Sequence, residues 1–126
     1  MKDTVVRVID EKKDKGLDVI SKLLASRHLD NGDRARVQVV RREFSKLVNA
    51  KGRKQRLEAY VRAARTLDSF KSKEDVAVEV GEKVSILRSL VEDLRSLYWF
   101  VDAVNPAEDC IGREKVDKIL ARECVA

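Results

Sequence analysis

Apolar residues recur at helical spacing through most of the chain, and this pattern predicts an all-α fold. Three segments show the pattern clearly, at about residues 17–27, 33–49 and 54–70. The turn signals Asp30-Asn31-Gly32 and Asn49-Ala50-Lys51-Gly52 separate these segments. The sequence therefore predicts three consecutive helices joined by short connections.

The opening run, residues 4–10, is ambiguous. Its β-branched residues suit a strand, whereas the spacing of Val5, Val8 and Ile9 also suits the first turns of a helix. In the segments that follow, helical spacing places Leu17 and Leu57 on buried faces. We expect both leucines to lie in the core.

The fourth segment has the longest regular pattern and predicts one long helix at about residues 73–104. Its apolar stripe advances in alternating steps of four and three residues through Val80, Val84, Leu87, Val91, Leu94, Tyr98 and Val101. This register places Leu94 in the core and Asp93 on the surface. An alternative is a hairpin at 76–86, because valines alternate around Gly81. After three helices, that hairpin would give a winged-helix-like α+β fold. A short helix near residues 113–124 completes the predicted bundle of four to five helices.

Length and composition indicate a single domain spanning residues 1–126. The chain is 44% hydrophobic, and its one proline and five glycines are too few for an all-β protein. No stretch approaches the ~20 apolar residues of a membrane span, and the first residues contain no apolar core of a signal peptide. We therefore expect a soluble, intracellular protein without membrane contact.

The composition is typical of hyperthermophile proteins. Gln occurs twice, Asn three times and Met and His once each, beside abundant Lys, Arg and Glu. In overall style the chain resembles the small proteins of hyperthermophilic archaeal viruses. The resemblance extends over the whole chain without a motif. It implies a thermophilic viral protein in the host cytoplasm or the virion, and it transfers no functional residue.

Catalytic motifs are missing from the sequence. The chain has neither a nucleophile elbow nor a glycine-rich phosphate loop. One histidine and two cysteines are fewer than the four ligands of a structural zinc site. The sequence therefore predicts a non-enzymatic protein without a metal, a cofactor or a small-molecule substrate.

Charge is distributed unevenly along the chain. Residues 34–65 contain eleven basic and two acidic residues, whereas residues 72–109 contain nine acidic and four basic residues. Eight of the eleven cations are arginines, whose planar guanidinium groups bind phosphate oxygens in pairs. The basic segment therefore predicts sequence-tolerant contacts to the backbone of DNA or RNA.

The residues predicted to form this nucleic-acid-binding patch are Arg34, Arg41, Arg42, Lys46, Lys51, Arg53, Lys54, Arg56 and Arg62. Aromatic residues for base stacking are not evident within it. The alternative is a structural or assembly protein, in which the basic helices pair with the acidic fourth helix within or between subunits. Such ion-pair networks are common in thermophile proteins.

The aromatic run Tyr98-Trp99-Phe100 cannot face one core, because consecutive helical residues point about 100° apart. Tyr98 belongs to the main stripe, and Trp99 and Phe100 lie off it, with Ile86 on the side of Phe100. Either the C-terminal helix or another subunit covers them. The second case predicts a homo-oligomer with Ile86, Trp99 and Phe100 at its interface.

Overall fold

The structure of the protein is a computed structural model that describes residues 2–70, 78–102 and 110–124. Within these ranges the chain forms five α-helices and no strand. They are α1 (Lys2–Leu24), α2 (Asn31–Asn49), α3 (Arg53–Ser69), α4 (Val78–Asp102) and α5 (Cys110–Cys124). The predicted all-α helical bundle is confirmed.

The fourth predicted helix is confirmed over residues 78–102. Its predicted ends, at 73–77 and 103–104, lie outside the described residues. The alternative hairpin at 76–86 is wrong where the structure describes it, because residues 78–86 are the first turns of α4. The alternating valines around Gly81 are explained by the helix, since Val80 and Val84 face the core while Val78 is exposed.

The first four helices form a ring in which α1 packs on α4, α4 on α3, α3 on α2 and α2 back on α1. Helix α5 packs mainly on α4 and also contacts α1. Side chains from all five helices meet in one continuous apolar core. None of the helices in the described ranges is both long enough and apolar enough to cross a membrane.

Helix α1 begins at Lys2, so the strand interpretation of residues 4–10 is wrong. Val5, Val8 and Ile9 start a buried stripe that continues through Val19, Ile20 and Leu23. The prediction for Leu17 is also wrong, because this side chain is 40% exposed. The apolar periodicity of α1 is irregular in the sequence, because a lysine and a glycine, Lys12 and Gly16, occupy the middle of the stripe.

Gly16 allows α1 and α2 to approach closely. A Cβ atom added at Gly16 would lie 2.4 Å from Cζ of Phe44, whose side chain is fully buried on α2. A glycine at this position therefore leaves room for an aromatic ring in the centre of the bundle.

Lys12 is buried on α1 and forms an ion pair with α4. Its Nζ lies 3.2 Å from Oδ2 of Asp93, and only 9% and 15% of the two side chains are exposed. Asp93 also accepts a hydrogen bond from Arg122 of α5 at 3.1 Å. The prediction that Asp93 lies on the surface is therefore wrong: this carboxylate joins three helices. Leu94, in contrast, is fully buried as predicted.

Local sequence signals fix the two ends of α2. Oδ1 of Asp30 accepts a hydrogen bond from the backbone N–H of Asp33 at 2.7 Å, which caps the helix. At the other end, Ala50 and Gly52 have extended backbone conformations and α3 begins at once. This short turn places α2 and α3 side by side. Leu57 of α3 is 50% exposed, so its predicted place in the core is wrong.

Candidate nucleic-acid interface

The basic segment folds into one helical hairpin, consisting of α2, α3 and the turn between them, residues 31–69. We call this unit the basic hairpin. Three of its cations, Arg42, Lys46 and Arg62, surround the carboxylate of Glu43. Arg42 and Lys46 belong to α2, whereas Arg62 reaches the same carboxylate from α3. The hairpin thus brings cations from separate parts of the sequence to one place.

Glu43 itself is only 2% exposed. Its Oε1 lies 3.6 Å from both Nε of Arg42 and Nζ of Lys46, and its Oε2 lies 4.0 Å from Nη1 of Arg62. Oε2 has no hydrogen-bond partner among the described residues. A buried carboxylate needs nearby positive charge, so Glu43 holds the three cations together. Its single charge neutralises only part of theirs.

The three cations remain accessible to a ligand. More than half of each side chain is exposed, and the distances to Glu43 exceed those of short charge-assisted hydrogen bonds. A groove of about 420 Å³ runs beside them between α2 and α3. Lys46 and Arg62 line it together with the carboxylates of Glu43 and Glu58, and it reaches the turn at Ala50. The Glu43 cluster and the turn are therefore parts of one continuous surface.

The turn, with which we count the first two residues of α3, adds three exposed cations, Lys51, Arg53 and Lys54. None of them forms an ion pair with another described residue. Arg41 is also exposed on α2, but it is one helical step, about 100°, from Arg42 and lies outside the Glu43 cluster. Six of the nine predicted residues thus lie in the Glu43 cluster or at the turn, with Arg41 beside them, and two of the six, Lys46 and Arg62, line the groove.

The other two predicted residues, Arg34 and Arg56, are engaged in the fold. Nη1 of Arg34 donates to the carbonyl oxygen of Leu24 at 2.6 Å and so satisfies an acceptor at the end of α1. Arg56 forms an ion pair with Asp102, and only 18% of its side chain is exposed. We therefore exclude both residues from the candidate interface, because their side chains stabilise helix ends and helix contacts.

The acidic side chains of α4 pair mainly with cations outside the basic hairpin. Glu92 accepts hydrogen bonds from the Tyr60 hydroxyl at 2.5 Å and from Arg88 at 2.8 Å. Burial alone would raise the pKa of Glu92, but these two hydrogen bonds and the charge of Arg95 outweigh it and lower the pKa. Within the described ranges, Arg56 is the one cation of residues 34–65 that pairs with a carboxylate of α4. The fold therefore leaves most of the basic charge facing solvent.

A cavity next to the turn has no counterpart among the features predicted from the sequence. Its volume is about 200 Å³, and it lies between the beginning of α3 and the end of α4. Leu57, Tyr98 and Trp99 contribute to its wall, together with Arg53 of the turn. The one signal of it in the sequence is the off-stripe position of Trp99, because the spacing of Leu57 places that residue in the core. The contact between distant helices is not encoded in local spacing.

The three residues predicted for an oligomer interface differ in their surroundings. Ile86 is 40% exposed. Trp99 and Phe100 are half-buried and pack against the core of their own chain. An interface between subunits at these residues stays a prediction.

Comparison of the chain with models of protein families, with curated proteins and with solved structures finds no match. Among the described residues, no group of three or more His, Cys, Asp or Glu side chains could hold a metal ion. Geometry and charge are therefore the grounds on which a function can be proposed.

Proposed function

We propose that the basic hairpin binds nucleic acid through the sugar-phosphate backbone, without strong sequence preference. The observation that carries this proposal is the continuous surface on which Arg42, Lys46 and Arg62 meet the cations of the α2–α3 turn. The proposal includes an intracellular protein that acts as a small homo-oligomer. The thermophilic character suggested by composition and the viral character implied by the resemblance in overall style belong to the same hypothesis.

Phosphate contacts explain the choice of residues on this surface. Arginine donates paired hydrogen bonds to phosphate oxygens, and lysine supplies a mobile point charge. A phosphate at the Glu43 cluster would meet three cations whose charge one carboxylate only partly neutralises. Phosphate contacts of this kind position the protein on the strand but carry no direct sequence information.

The experiment is a salt titration of binding to a mixed-sequence DNA duplex. Six cations, the three of the Glu43 cluster and the three of the turn, give a slope of log affinity against log salt of about −5.4 if all six meet phosphates. Exchange of Lys51 and Lys54 for glutamine should reduce the slope by about 1.8. Absence of binding at low salt, or a slope near zero, would overturn the proposal.

A matched control distinguishes binding through this surface from binding that depends only on the net charge of the protein. Lys15→Gln with Lys118→Gln removes the same two charges from α1 and α5, where both lysines are exposed. This control should leave the slope unchanged. An equal reduction in the two double variants would mean that binding follows the overall charge of the protein and does not use the hairpin.

The alternative, an assembly protein held by ion pairs between basic and acidic segments, is tested in the same salt series. Light scattering should then show an oligomer that dissociates as salt rises, without any affinity for the duplex. Among the described residues of one chain, the pair between Arg56 and Asp102 is the one ion pair between the basic segment and a carboxylate of α4.

A further inference from the structure

We propose that the cavity between α3 and α4 holds one unpaired base of a single-stranded nucleic acid. We call it the ring cavity. The inference rests on the proposed function, since the strand would approach along the basic hairpin. It adds a preference for single strands that phosphate contacts alone would not give.

The size of the ring cavity suits a single ring. Its volume of about 200 Å³ is smaller than the ~300–1,000 Å³ of pockets that bury a drug-sized ligand. Leu47, Leu57, Tyr60, Tyr98 and Trp99 supply apolar and aromatic surface to its wall. Flat rings bind on such surfaces because stacking and apolar contact need no specific donor or acceptor.

Arg53 is the cation of the ring cavity that is left for an anionic ligand. Arg56 and Arg95 also line the cavity, but Arg56 pairs with Asp102 and Arg95 with Glu92. Arg53 also belongs to the turn, beside the exposed Lys51 and Lys54. A ligand with a ring in the cavity and a phosphate next to that ring would therefore meet a cation of the basic hairpin. A nucleotide unit combines these two features.

The wall of the ring cavity is held in place by contacts within the fold. The guanidinium of Arg56 lies over the ring of Tyr98 at 4.4 Å, and that of Arg95 lies over the ring of Tyr60 at 4.7 Å. Arg56 also donates to the carbonyl oxygen of Ala50 at 2.9 Å. Because these side chains are already ordered, a ring can enter without the entropic cost of forming the cavity.

The phosphate of a nucleotide distinguishes a base from an apolar ring. Arg53 lines the ring cavity, is exposed and forms no ion pair with another described residue, so a ring with a phosphate beside it would gain a charge-assisted contact that a hydrocarbon ring would not. In a duplex the bases lie within the stack, and extrusion of a base costs a few kcal/mol. An unpaired base is therefore the occupant that we infer.

Trp99 provides a direct assay, because it is the only tryptophan of the chain. Its fluorescence would be recorded during titration with a short oligothymidylate, an abasic strand of the same length, a duplex and thymidine monophosphate. Anisotropy of labelled strands would report binding in parallel. We expect oligothymidylate to quench Trp99 and to bind about 5- to 150-fold more tightly than the abasic strand. The abasic strand and the duplex should bind with little quenching.

The outcomes separate the two proposals. Equal affinity for oligothymidylate and the abasic strand, with Trp99 emission unchanged, would overturn the ring cavity and leave backbone binding intact. Absence of binding to every strand would overturn the proposed function and the ring cavity with it. Quenching by the mononucleotide at the same concentration as by the strand would overturn the assignment to a strand.

Two neutral substitutions complete the test. Leu57→Gln changes an exposed residue of the ring cavity, and Leu17→Gln changes a similarly exposed leucine on α1. Leu57→Gln should remove most of the preference for oligothymidylate over the abasic strand, while Leu17→Gln should retain it. Thermal unfolding of both variants would verify that they fold. Equal preferences in the two folded variants would overturn the ring cavity.

Discussion

Asp93→Ala should destabilise the protein strongly, although the sequence pattern assigns this residue to the surface. The substitution removes the carboxylate that lies 3.2 Å from Nζ of the buried Lys12. Loss of one partner of a buried ion pair costs about 3–5 kcal/mol. We expect about 3 kcal/mol, the lower end, because the flexible stem of Lys12 can turn its ammonium group toward water.

Urea unfolding followed by far-ultraviolet circular dichroism would measure this loss. The matched control is Asp18→Ala, which breaks a closer pair, 2.9 Å from Lys22, whose two side chains are more than half exposed. The control should cost less than about 1 kcal/mol, as is typical of surface pairs. Burial, rather than distance, then determines the energy. Equal losses in the two variants would refute this reasoning.

A double variant separates the charge from the packing. Lys12→Met combined with Asp93→Ala replaces the buried ammonium group by an apolar side chain of similar length, and Arg122 loses only one exposed contact. Apolar replacement of a buried ion pair is often neutral or stabilising. The double variant should therefore be more stable than Asp93→Ala alone, and a lower stability would contradict the assignment of the loss to Lys12.

Two further predictions concern packing and ionisation. Gly16→Ala should lower the free energy of unfolding, because overpacking against Phe44 costs about 1–3 kcal/mol and exceeds the ~0.5–1 kcal/mol gained in helix propensity. Urea unfolding would measure the loss, with Gly32→Ala, at an exposed glycine of α2, as the control. Equal changes in the two variants would contradict the prediction. Burial raises the pKa of Tyr98, with Arg56 opposing and Asp10 and Asp102 adding to the rise. The neutral Tyr98 hydroxyl therefore stabilises the fold fully below the pKa of tyrosine in the unfolded chain, about 10. This stabilisation is lost as pH rises through the higher pKa of Tyr98 in the folded protein. Tyrosinate absorbance of the protein and of Tyr98→Phe measures this, and ionisation of Tyr98 at or below about 10 would contradict it.

The register of α2 and α4 could be predicted from the sequence because local periodicity determines which face is buried. Phe44 and Leu94 both lie in the core as their spacing indicates. The register of α1 could not be predicted in the same way. Lys12 and Gly16 interrupt its apolar stripe, and each is explained by a contact with another helix. Lys12 pairs with Asp93 of α4, and Gly16 leaves room for Phe44 of α2. Contacts between distant segments decide such positions.

The candidate interface, too, could be predicted from the sequence only in part. Clustered charge in residues 34–65 is visible in the sequence, so the location of the basic surface could be predicted. Arg34 and Arg56 could not be separated from their neighbours, because their partners, Leu24 and Asp102, come from α1 and α4. The ring cavity was missed for the same reason, since Trp99 meets the beginning of α3 only after the bundle has formed.

The order of the helices around the ring also sets an order of assembly during synthesis. Helices α2 and α3 are neighbours in both sequence and space, so the basic hairpin can pack as soon as both have left the ribosome. Helix α1 emerges before them, but its main neighbour is α4, more than fifty residues later. At ~5–20 residues per second, the apolar stripe of α1 stays without this neighbour for several seconds. During that interval α1 is the segment that a chaperone would have to shield from aggregation.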